Sequence, residues 1–283
     1  MPINEPPRGT KDLRINILGD AIALWDRPAP ELPFLFIHGN TASREAFRAL
    51  FEAEPLARHR LIAFDLPGCG ASADAHAPHE TYTLPGLGNL VMEIVKALGL
   101  THYVLVGWSL GGHLAIQTLL HSAAPDGIVL TGTPPCGPDP AEIAATFLPV
   151  EGAEVMSMEH PTPEQMAAFL KSVYLPSPPP ESLRRAAARA DGKLRMRLFE
   201  HIFATPDLEP QRVTVARWRH PFALVQGRGE PFFRPESLDH LAWGNLWRGG
   251  TQWIDDAGHA PFISHPGKYA RILKAFADDL QRV

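Results

Sequence analysis

The stretch "VGWSLGGHLA", residues 106–115, decides how the rest of the chain is interpreted, because it places a serine between glycines after an apolar run. "YVLV" comes before it and "LGGHLAIQTLL" after it, which is the pattern of a buried strand, a sharp turn and a helix. Such a turn crowds the positions two before and two after the serine, here Gly107 and Gly111, so only small residues fit there. The match to G-x-S-x-G predicts that Ser109 is a nucleophile held at a strand-to-helix elbow.

Short apolar runs on both sides of this elbow alternate with helical patterns. The runs predict strands over 33–39, 61–68, 103–109, 127–132, 222–227 and 251–258. The helical patterns lie near 44–55, 85–99, 110–122 and 266–281. Strands that are apolar throughout are buried on both faces, so we expect an α/β fold with a mostly parallel sheet covered by helices on both sides.

The alternation stops near residue 140 and resumes only at "FALVQG", residues 222–227. The stretch between them contains helical patterns such as "PEQMAAFLKSVYL" and no convincing strand. Helices inserted between two sheet strands commonly cover the strand ends where open α/β sheets bind ligands. We therefore expect a core formed by residues 1–136 and 218–283 and a helical cap formed by residues 137–217.

Composition restricts the partners of this chain of 283 residues. Its net charge is −5 and no Lys/Arg run could follow a phosphate backbone, which argues against a nucleic-acid partner. No apolar stretch approaches membrane-spanning length, and the first 14 residues lack the apolar segment of a signal peptide. We expect a cytoplasmic protein that does not bind a membrane, and we expect Cys69 and Cys136 to be free thiols. The oligomeric state stays open.

A serine hydroxyl becomes a good nucleophile only when a base takes its proton. His259 in "WIDDAGHAPF" follows the last predicted strand, where catalytic loops gather, and comes after the serine and the acid in chain order. Glu230 is the carboxylate in the loop after the preceding strand, and it can accept the imidazole N–H. Three aspartates compete with it for this role: Asp139, Asp255 and Asp256.

The tetrahedral intermediate of such a reaction needs N–H donors for its oxyanion. The backbone N–H of Leu110 follows the nucleophile at a helix N-terminus, where the helix dipole favours negative charge. A second donor is expected after the strand "FLFIHG", and Asn40 in "HGNTAS" suits this by its backbone N–H and by its side chain. His38 in the same stretch is expected to organise the loop.

These motifs together resemble the α/β-hydrolase family. They are "HGN", "DLPGCGAS" (65–72), "GWSLGG", "GRGEPF" and "DAGHAPF", in that order. "GWSLGGH", "LTGTPP" (130–135), "ARADGKLRMRLFE" (188–200) and "GNLW" (244–247) are similar to the N-acyl-homoserine lactonases of this fold, the quorum-quenching enzymes that open a lactone ring. The resemblance implies an α/β-hydrolase fold with a helical cap, and glutamate as the acid, which supports Glu230.

The resemblance also implies a small neutral lactone or ester as the substrate and no cofactor. Trp108 and Phe232 are expected to form a wall beside the lactone ring, since they flank the serine and the acid. The cap side chains expected to line the acyl chain are Met156, Met158, Met166, Phe169 and Tyr174. We expect no metal site, because the one His-rich run, "HAPH" (76–79), has no acid at the needed spacing.

Three other functions stay open at this point. The first is a broad carboxylesterase acting on short acyl esters through the same three residues. The second is a carbon–carbon hydrolase or a cofactor-free haloperoxidase on the same fold. The third is a receptor that captures a ligand in the pocket without turnover. The serine at the elbow disfavours haloalkane dehalogenase and epoxide hydrolase activity, because those enzymes carry aspartate there.

Overall fold

The computed structural model describes residues 5–120, 124–137, 139–205 and 208–282, and its framework is one eight-stranded sheet. The strands are β1 (Lys11–Ile17), β2 (Asp20–Arg27), β3 (Glu31–Ile37), β4 (His59–Phe64), β5 (Val104–Trp108), β6 (Gly127–Thr131), β7 (Phe222–Gly227) and β8 (Gln252–Ile254). Their order across the sheet is β1-β2-β4-β3-β5-β6-β7-β8. The pairs β1·β2 and β2·β4 are antiparallel, and every other pair is parallel.

Helices pack on both faces of this sheet. The α-helices are α1 (Arg48–Phe51), α2 (Pro78–Thr81), α3 (Leu84–Ala97), α4 (Leu110–Thr118), α5 (Pro140–Thr146), α6 (Pro163–Tyr174), α7 (Glu181–Arg189), α8 (Gly192–Ala204), α9 (Gln211–Arg217), α10 (Pro261–Ser264) and α11 (Pro266–Leu280). Gly107 faces α4 and is paired with Leu130, whereas Gly127 faces Phe276 of α11. Leu130 and Gly127 are three residues apart on β6, so they point to opposite faces of the sheet. Because Gly107 shares the face of its partner Leu130, α4 and α11 lie on opposite sides of the sheet.

The predicted α/β fold with a mostly parallel sheet is confirmed, and all six predicted strands form. The sequence did not reveal the antiparallel strands β1 and β2. Most side chains of β1 are exposed, so it carries no apolar run, and charged residues interrupt both ends of β2. The connection between them is a two-residue turn in which Leu18 and Gly19 both have positive φ.

Two predicted helices differ in extent from those observed. The segment 44–55 contains the short helix α1 between two 3-10 turns, Arg44–Phe47 and Glu54–Leu56, and the extended backbone of Ala53 (φ −73°, ψ 123°) separates α1 from the second turn. The segment 110–122 forms α4 only as far as Thr118, and its last two residues lie outside the described part of the chain.

The segment between β6 and β7 is helical, with α5 to α9 and a 3-10 turn at Ala153–Ser157. In its described residues the only β-type pairing is an isolated bridge between Phe147 and Phe233. α8 packs against the 3-10 turn and against α2, and α9 packs against α4. Division of the chain into core and cap at residues 137 and 217 stays a prediction. Over the described ranges, no helix is long and apolar enough to cross a membrane.

Candidate active site

Ser109 occupies a sharp turn between β5 and α4. Its backbone has φ 54° and ψ −119°, a conformation that costs energy for a residue with a side chain. A Cβ atom on Gly111 would lie 2.0 Å from the carbonyl oxygen of Ile37, and one on Gly107 would lie 2.4 Å from Cα of Gly112. Both glycines are therefore required by direct contact between backbones, which is the crowding that the sequence motif indicates.

His259 and Glu230 form a buried pair at the ends of β8 and β7. Nδ1 of His259 lies 2.9 Å from Oε1 and 2.8 Å from Oε2 of Glu230, and the two side chains are 5% and 1% exposed. The backbone N–H of Phe232 also donates to Oε1 of Glu230. A carboxylate only accepts hydrogen bonds, so Nδ1 carries the hydrogen and Nε2 is the nitrogen available as a base.

The competing aspartates have other partners. Asp139 is exposed and caps α5 by accepting a hydrogen bond from the backbone N–H of Ala141. Asp255 forms an ion pair with Arg228 on the surface, and Asp256 lies in a turn with φ 56°. Among the described residues, Glu230 is the one carboxylate that hydrogen-bonds His259.

Ser109 and His259 line the same cavity, which has a volume of about 230 Å³ between the sheet edge and the inserted helices. No hydrogen bond joins Oγ of Ser109 to Nε2 of His259 within the described part of the chain. Such bonds are often long in an enzyme without substrate and tighten when substrate binds. The geometry thus brings the predicted nucleophile and base into the wall of one mostly apolar cavity.

The loop that follows β3 passes directly against Ser109. A Cβ atom on Gly39 would lie 3.1 Å from Cβ of Ser109, and the next residue, Asn40, lines the cavity together with Leu110. The side chain of Asn40 is engaged elsewhere, since Nδ2 donates to the carbonyl oxygen of Met156 at 3.1 Å. The side-chain contact holds the loop, and the roles of the backbone N–H groups of Asn40 and Leu110 as oxyanion donors stay a prediction.

His38 organises the same loop from inside the core. Nε2 accepts a hydrogen bond from the backbone N–H of Leu66, and Nδ1–H donates to the carbonyl oxygen of Gly39. The ring is fully buried, and burial lowers the pKa of His38 to about 4. His38 is therefore neutral near pH 7 and has no nitrogen free for proton transfer.

The cavity contains some of the predicted substrate-binding residues but not all of them. Trp108, Phe232, Met156 and Phe169 line it, and the ring of Phe232 lies 4.7 Å from that of His259. Trp108 also holds the backbone of the loop that carries His259, because Nε1 of Trp108 donates to the carbonyl oxygen of His259 at 2.9 Å. These four residues line the cavity, and their contacts with a lactone ring or an acyl chain stay a prediction.

Three other predicted residues do not line the cavity: Met158, Met166 and Tyr174. On α6, Phe169 and Val173 are four residues apart and share the face that meets the cavity. Tyr174 follows Val173 and turns away by about 100°, so it packs against Trp108 with 6.1 Å between ring centroids. Met166 lies one turn before Phe169 and packs on the core. Met158 belongs to a segment held by Arg195, which binds its carbonyl oxygen.

The sequence analysis also missed residues that form the cavity wall. Four of them come from one helix, α8: Leu198, Phe199, Ile202 and Phe203. The spacing of Leu194, Leu198 and Ile202 is a helical apolar stripe that could have indicated them. His113, in the first turn after the nucleophile, and Gln211 on α9 are polar and also face the cavity.

The described residues contain no group of three or more His, Cys, Asp or Glu side chains that could hold a metal ion. In the "HAPH" run, His76 instead pairs with Asp20 at 2.9 Å. Cys69 and Cys136 are both free thiols, and burial raises the pKa of each to about 12.

The chain belongs to the alpha/beta hydrolase family, whose model matches residues 34–272. Among solved structures, it is similar to a variant of the N-acyl homoserine lactonase AidH complexed with N-hexanoyl homoserine lactone. That chain is 32% identical and the TM-score is 0.91, with 96% of this chain and 99% of the other covered. AidH complexed with N-butanoyl homoserine gives a TM-score of 0.89 at the same identity, covering 97% and 98%.

A curated relative points to a different ester. The pimeloyl-[acyl-carrier protein] methyl ester esterase of Cronobacter sakazakii is 27% identical over 260 residues, which cover 85% of this chain and 91% of that protein. The family and the fold of this chain are therefore established. The lactonase and the methyl ester esterase are both hydrolases of ester bonds.

Proposed function

We propose that this protein is a serine hydrolase that opens the lactone ring of N-acyl-homoserine lactones. The observation that supports this most is that His259, which is hydrogen-bonded to the buried Glu230, lines one mostly apolar cavity together with a strained serine at the start of a helix. Acyl transfer needs an exposed nucleophile, a base and a carboxylate that orients the base, and Ser109, His259 and Glu230 supply these three groups. Stability of the fold alone does not require the three groups to lie together.

The steps follow from the positions of these groups. Nε2 of His259 takes the proton of Ser109 as Oγ attacks the ring carbonyl, and Glu230 stabilises the imidazolium that forms. The backbone N–H groups of Leu110 and Asn40 stabilise the oxyanion. The ring oxygen leaves with the proton of His259 but stays attached through the carbon chain of the acyl-enzyme. Water activated by His259 then releases N-acyl-homoserine, and no step uses a cofactor.

The choice of lactone rests on two further observations. The N-acyl homoserine lactonase AidH is 32% identical to this chain and similar in structure over nearly its whole length. The cavity is mostly apolar on the side of the inserted helices, with α8 contributing four apolar residues, so it suits an alkyl chain. We propose that the acyl chain lies there, between Phe169 of α6 and α8.

Ring opening by the purified protein tests this proposal. N-hexanoyl- and N-decanoyl-homoserine lactone are incubated with the protein, with Ser109→Ala as the control, and mass spectrometry records the gain of one water. We expect fast opening by the protein as it stands and at least a 1,000-fold slower reaction in the variant, a rough estimate from loss of the nucleophile. Opening that survives in Ser109→Ala would contradict the mechanism.

A carboxylesterase is the second candidate, and the curated methyl ester esterases favour it. Both candidates use the same three side chains, so only the substrate separates them. Methyl hexanoate and p-nitrophenyl butyrate are measured beside the lactones. If only the open-chain esters react, the roles of Ser109, His259 and Glu230 stand and the lactone assignment is wrong.

Covalent labelling distinguishes a hydrolase from a receptor that binds its ligand without turnover. A fluorophosphonate reacts with an activated serine, and we expect labelling that is lost in Ser109→Ala. No labelling of the unmodified protein would count against every hydrolase assignment and favour a pocket that only binds its ligand.

A further inference from the structure

His113 is a polar group in the cavity wall that the steps above do not use. It lies in the first turn of α4, and its backbone N–H donates to the carbonyl oxygen of Ser109 at 3.2 Å. Helical side chains tilt toward the helix N-terminus, where Ser109 lies, and the side chains of Ser109 and His113 line the same cavity.

The contacts of His113 with Gln211 determine which ring nitrogen carries the hydrogen. The carbonyl oxygen of His113 only accepts, so the amide nitrogen of Gln211 must face it, and Nε2 of Gln211 donates there at 3.0 Å. Oε1 of Gln211 then faces Nδ1 of His113 at 2.6 Å. Because Oε1 also only accepts, Nδ1 of His113 must be protonated.

Nε2 of His113 is therefore left as the nitrogen with a lone pair. Burial lowers the pKa of His113, the neighbouring His259 lowers it further, and the bond to Gln211 opposes both. The ring is accordingly neutral near pH 7. Within the described residues Nε2 has no hydrogen-bond partner, while the side chain lines the cavity.

The other acceptors in this wall have a partner or a role in the reaction: Glu209 pairs with Arg217, and Nε2 of His259 serves as the base. The side-chain amide of Asn40 is bound to Met156, and Nδ1 of His259 is bound to Glu230. A ligand that brings a donor is favoured here, because shielding an acceptor from water without giving it a hydrogen bond costs free energy. In an N-acyl-homoserine lactone the single N–H group is attached to the carbon next to the carbonyl that Oγ of Ser109 would attack.

We propose that Nε2 of His113 accepts a hydrogen bond from an N–H group on the carbon next to the scissile carbonyl, which makes His113 a specificity-determining residue. Gln211 is the positioning residue that holds its ring and its tautomer. This inference rests on the proposed function for the identity of the lactone, but the recognition it describes applies to any ester with an amide at that carbon.

Two substrate pairs in which N–H is replaced by oxygen test the inference. One pair is N-hexanoyl-homoserine lactone and its O-linked counterpart, α-hexanoyloxy-γ-butyrolactone. The other is the open-chain pair of methyl N-hexanoylglycinate and methyl hexanoyloxyacetate. Mass spectrometry counts only opening of the lactone or loss of the methyl ester and not cleavage of the hexanoyl group, and the measured quantity is the ratio of kcat/KM within each pair.

We expect the protein to prefer the N–H member by about 10- to 100-fold, the cost of leaving the acceptor unpaired. His113→Leu is expected to bring the ratio close to one, whereas His113→Gln keeps an acceptor near Nε2 and retains part of the preference. His201→Leu is the matched control, since His201 lies on α8 and does not line the cavity. A loss of stability alone would change both members of a pair equally, so it would not move the ratio.

The outcomes separate this inference from the proposed function. An unchanged ratio in His113→Leu overturns the role of His113 even if lactones are opened. If only the open-chain pair reacts and its ratio falls in His113→Leu, the lactone assignment is wrong and the role of His113 holds. If neither pair reacts, both are overturned.

Discussion

Glu230 shows how one buried carboxylate sets the chemistry of an imidazole. It accepts from Nδ1 of His259 and from the backbone N–H of Phe232, so its orientation is held from two sides. With Nδ1 protonated, Nε2 is left to face the cavity as a base. A group that could donate to Nδ1 would favour the opposite tautomer.

Glu230→Gln is therefore expected to lower kcat by about 1,000- to 10,000-fold with the fold retained, because an amide in place of the carboxylate favours the wrong tautomer. Steady-state kinetics on a reactive ester check this. The matched control is Glu209→Gln, a carboxylate on the same cavity wall that pairs with Arg217. Equal losses in the two variants would show that charge in the cavity, and not the bond to His259, is what matters.

His38 makes a pH-dependent contribution to stability. Its folded-state pKa is about 4, below the 6.5 of an unburied histidine, so folding favours the neutral ring. The contribution is fully present above about pH 6.5 and is lost as the pH falls toward 4. At about 1.4 kcal/mol per pKa unit, it amounts to about 3 kcal/mol.

We expect the difference in unfolding free energy between the protein and His38→Gln to shrink by about 3 kcal/mol from pH 7 to pH 4, because glutamine does not titrate. Urea denaturation at several pH values measures this difference. A difference independent of pH would mean that His38 titrates alike in the folded and unfolded chain.

At the scale of elements, the start of α8 is held against the core by hydrogen bonds of Asp191, one of them from the phenol of Tyr82. The hydroxyl of Tyr82 accepts from the backbone N–H of Ala75 and donates to Asp191. Asp191 in turn caps α8, and its backbone N–H donates to the carbonyl oxygen of Gly68. The helix that lines the cavity is thus positioned from its first turn.

Tyr82→Phe is expected to lower the unfolding free energy by about 1–3 kcal/mol, since it removes the partner of Oδ2 of Asp191 and of the backbone N–H of Ala75. Hydrogen exchange in α8 should become faster, because one tie to the core is lost. Tyr269→Phe is the control: it removes a buried hydroxyl bonded to Thr131 between α11 and β6, far from this tie. Faster exchange of α8 in both variants would indicate general destabilisation.

At the scale of the whole molecule, the cavity is a joint product of the sheet and the inserted helices. Core loops supply the polar end with Ser109 and His259, while α6 and α8 supply the apolar walls. Substrate affinity for the acyl part should therefore follow the area that is buried between the two.

We expect kcat/KM to rise with acyl length from C4 toward C10, by at most about fourfold per methylene, until the cavity is full. Phe199→Ala enlarges the apolar end and should move the maximum to a longer chain. A series of homoserine lactones of increasing length measures both. A flat series in the unmodified protein would place the acyl chain outside the cavity.

The sequence by itself determined the elbow at Ser109, the six parallel strands and the order of Ser109, Glu230 and His259. Those features follow from local patterns: glycines that avoid backbone clashes, apolar runs of strand length and polar residues just after them. For the same reason β1 escaped detection, because an exposed edge strand needs no apolar run, and β2 escaped detection because charged residues lie at both ends of its short apolar run.

Only the tertiary structure decided which side chains meet in the cavity. His113 contacts Gln211, and Asn40 contacts Met156, across 98 and 116 residues of chain. The turn of α6 decided that Phe169 faces the cavity and Tyr174 does not. Such contacts depend on how the inserted helices pack on the core, and the packing of distant segments leaves no local pattern in the sequence.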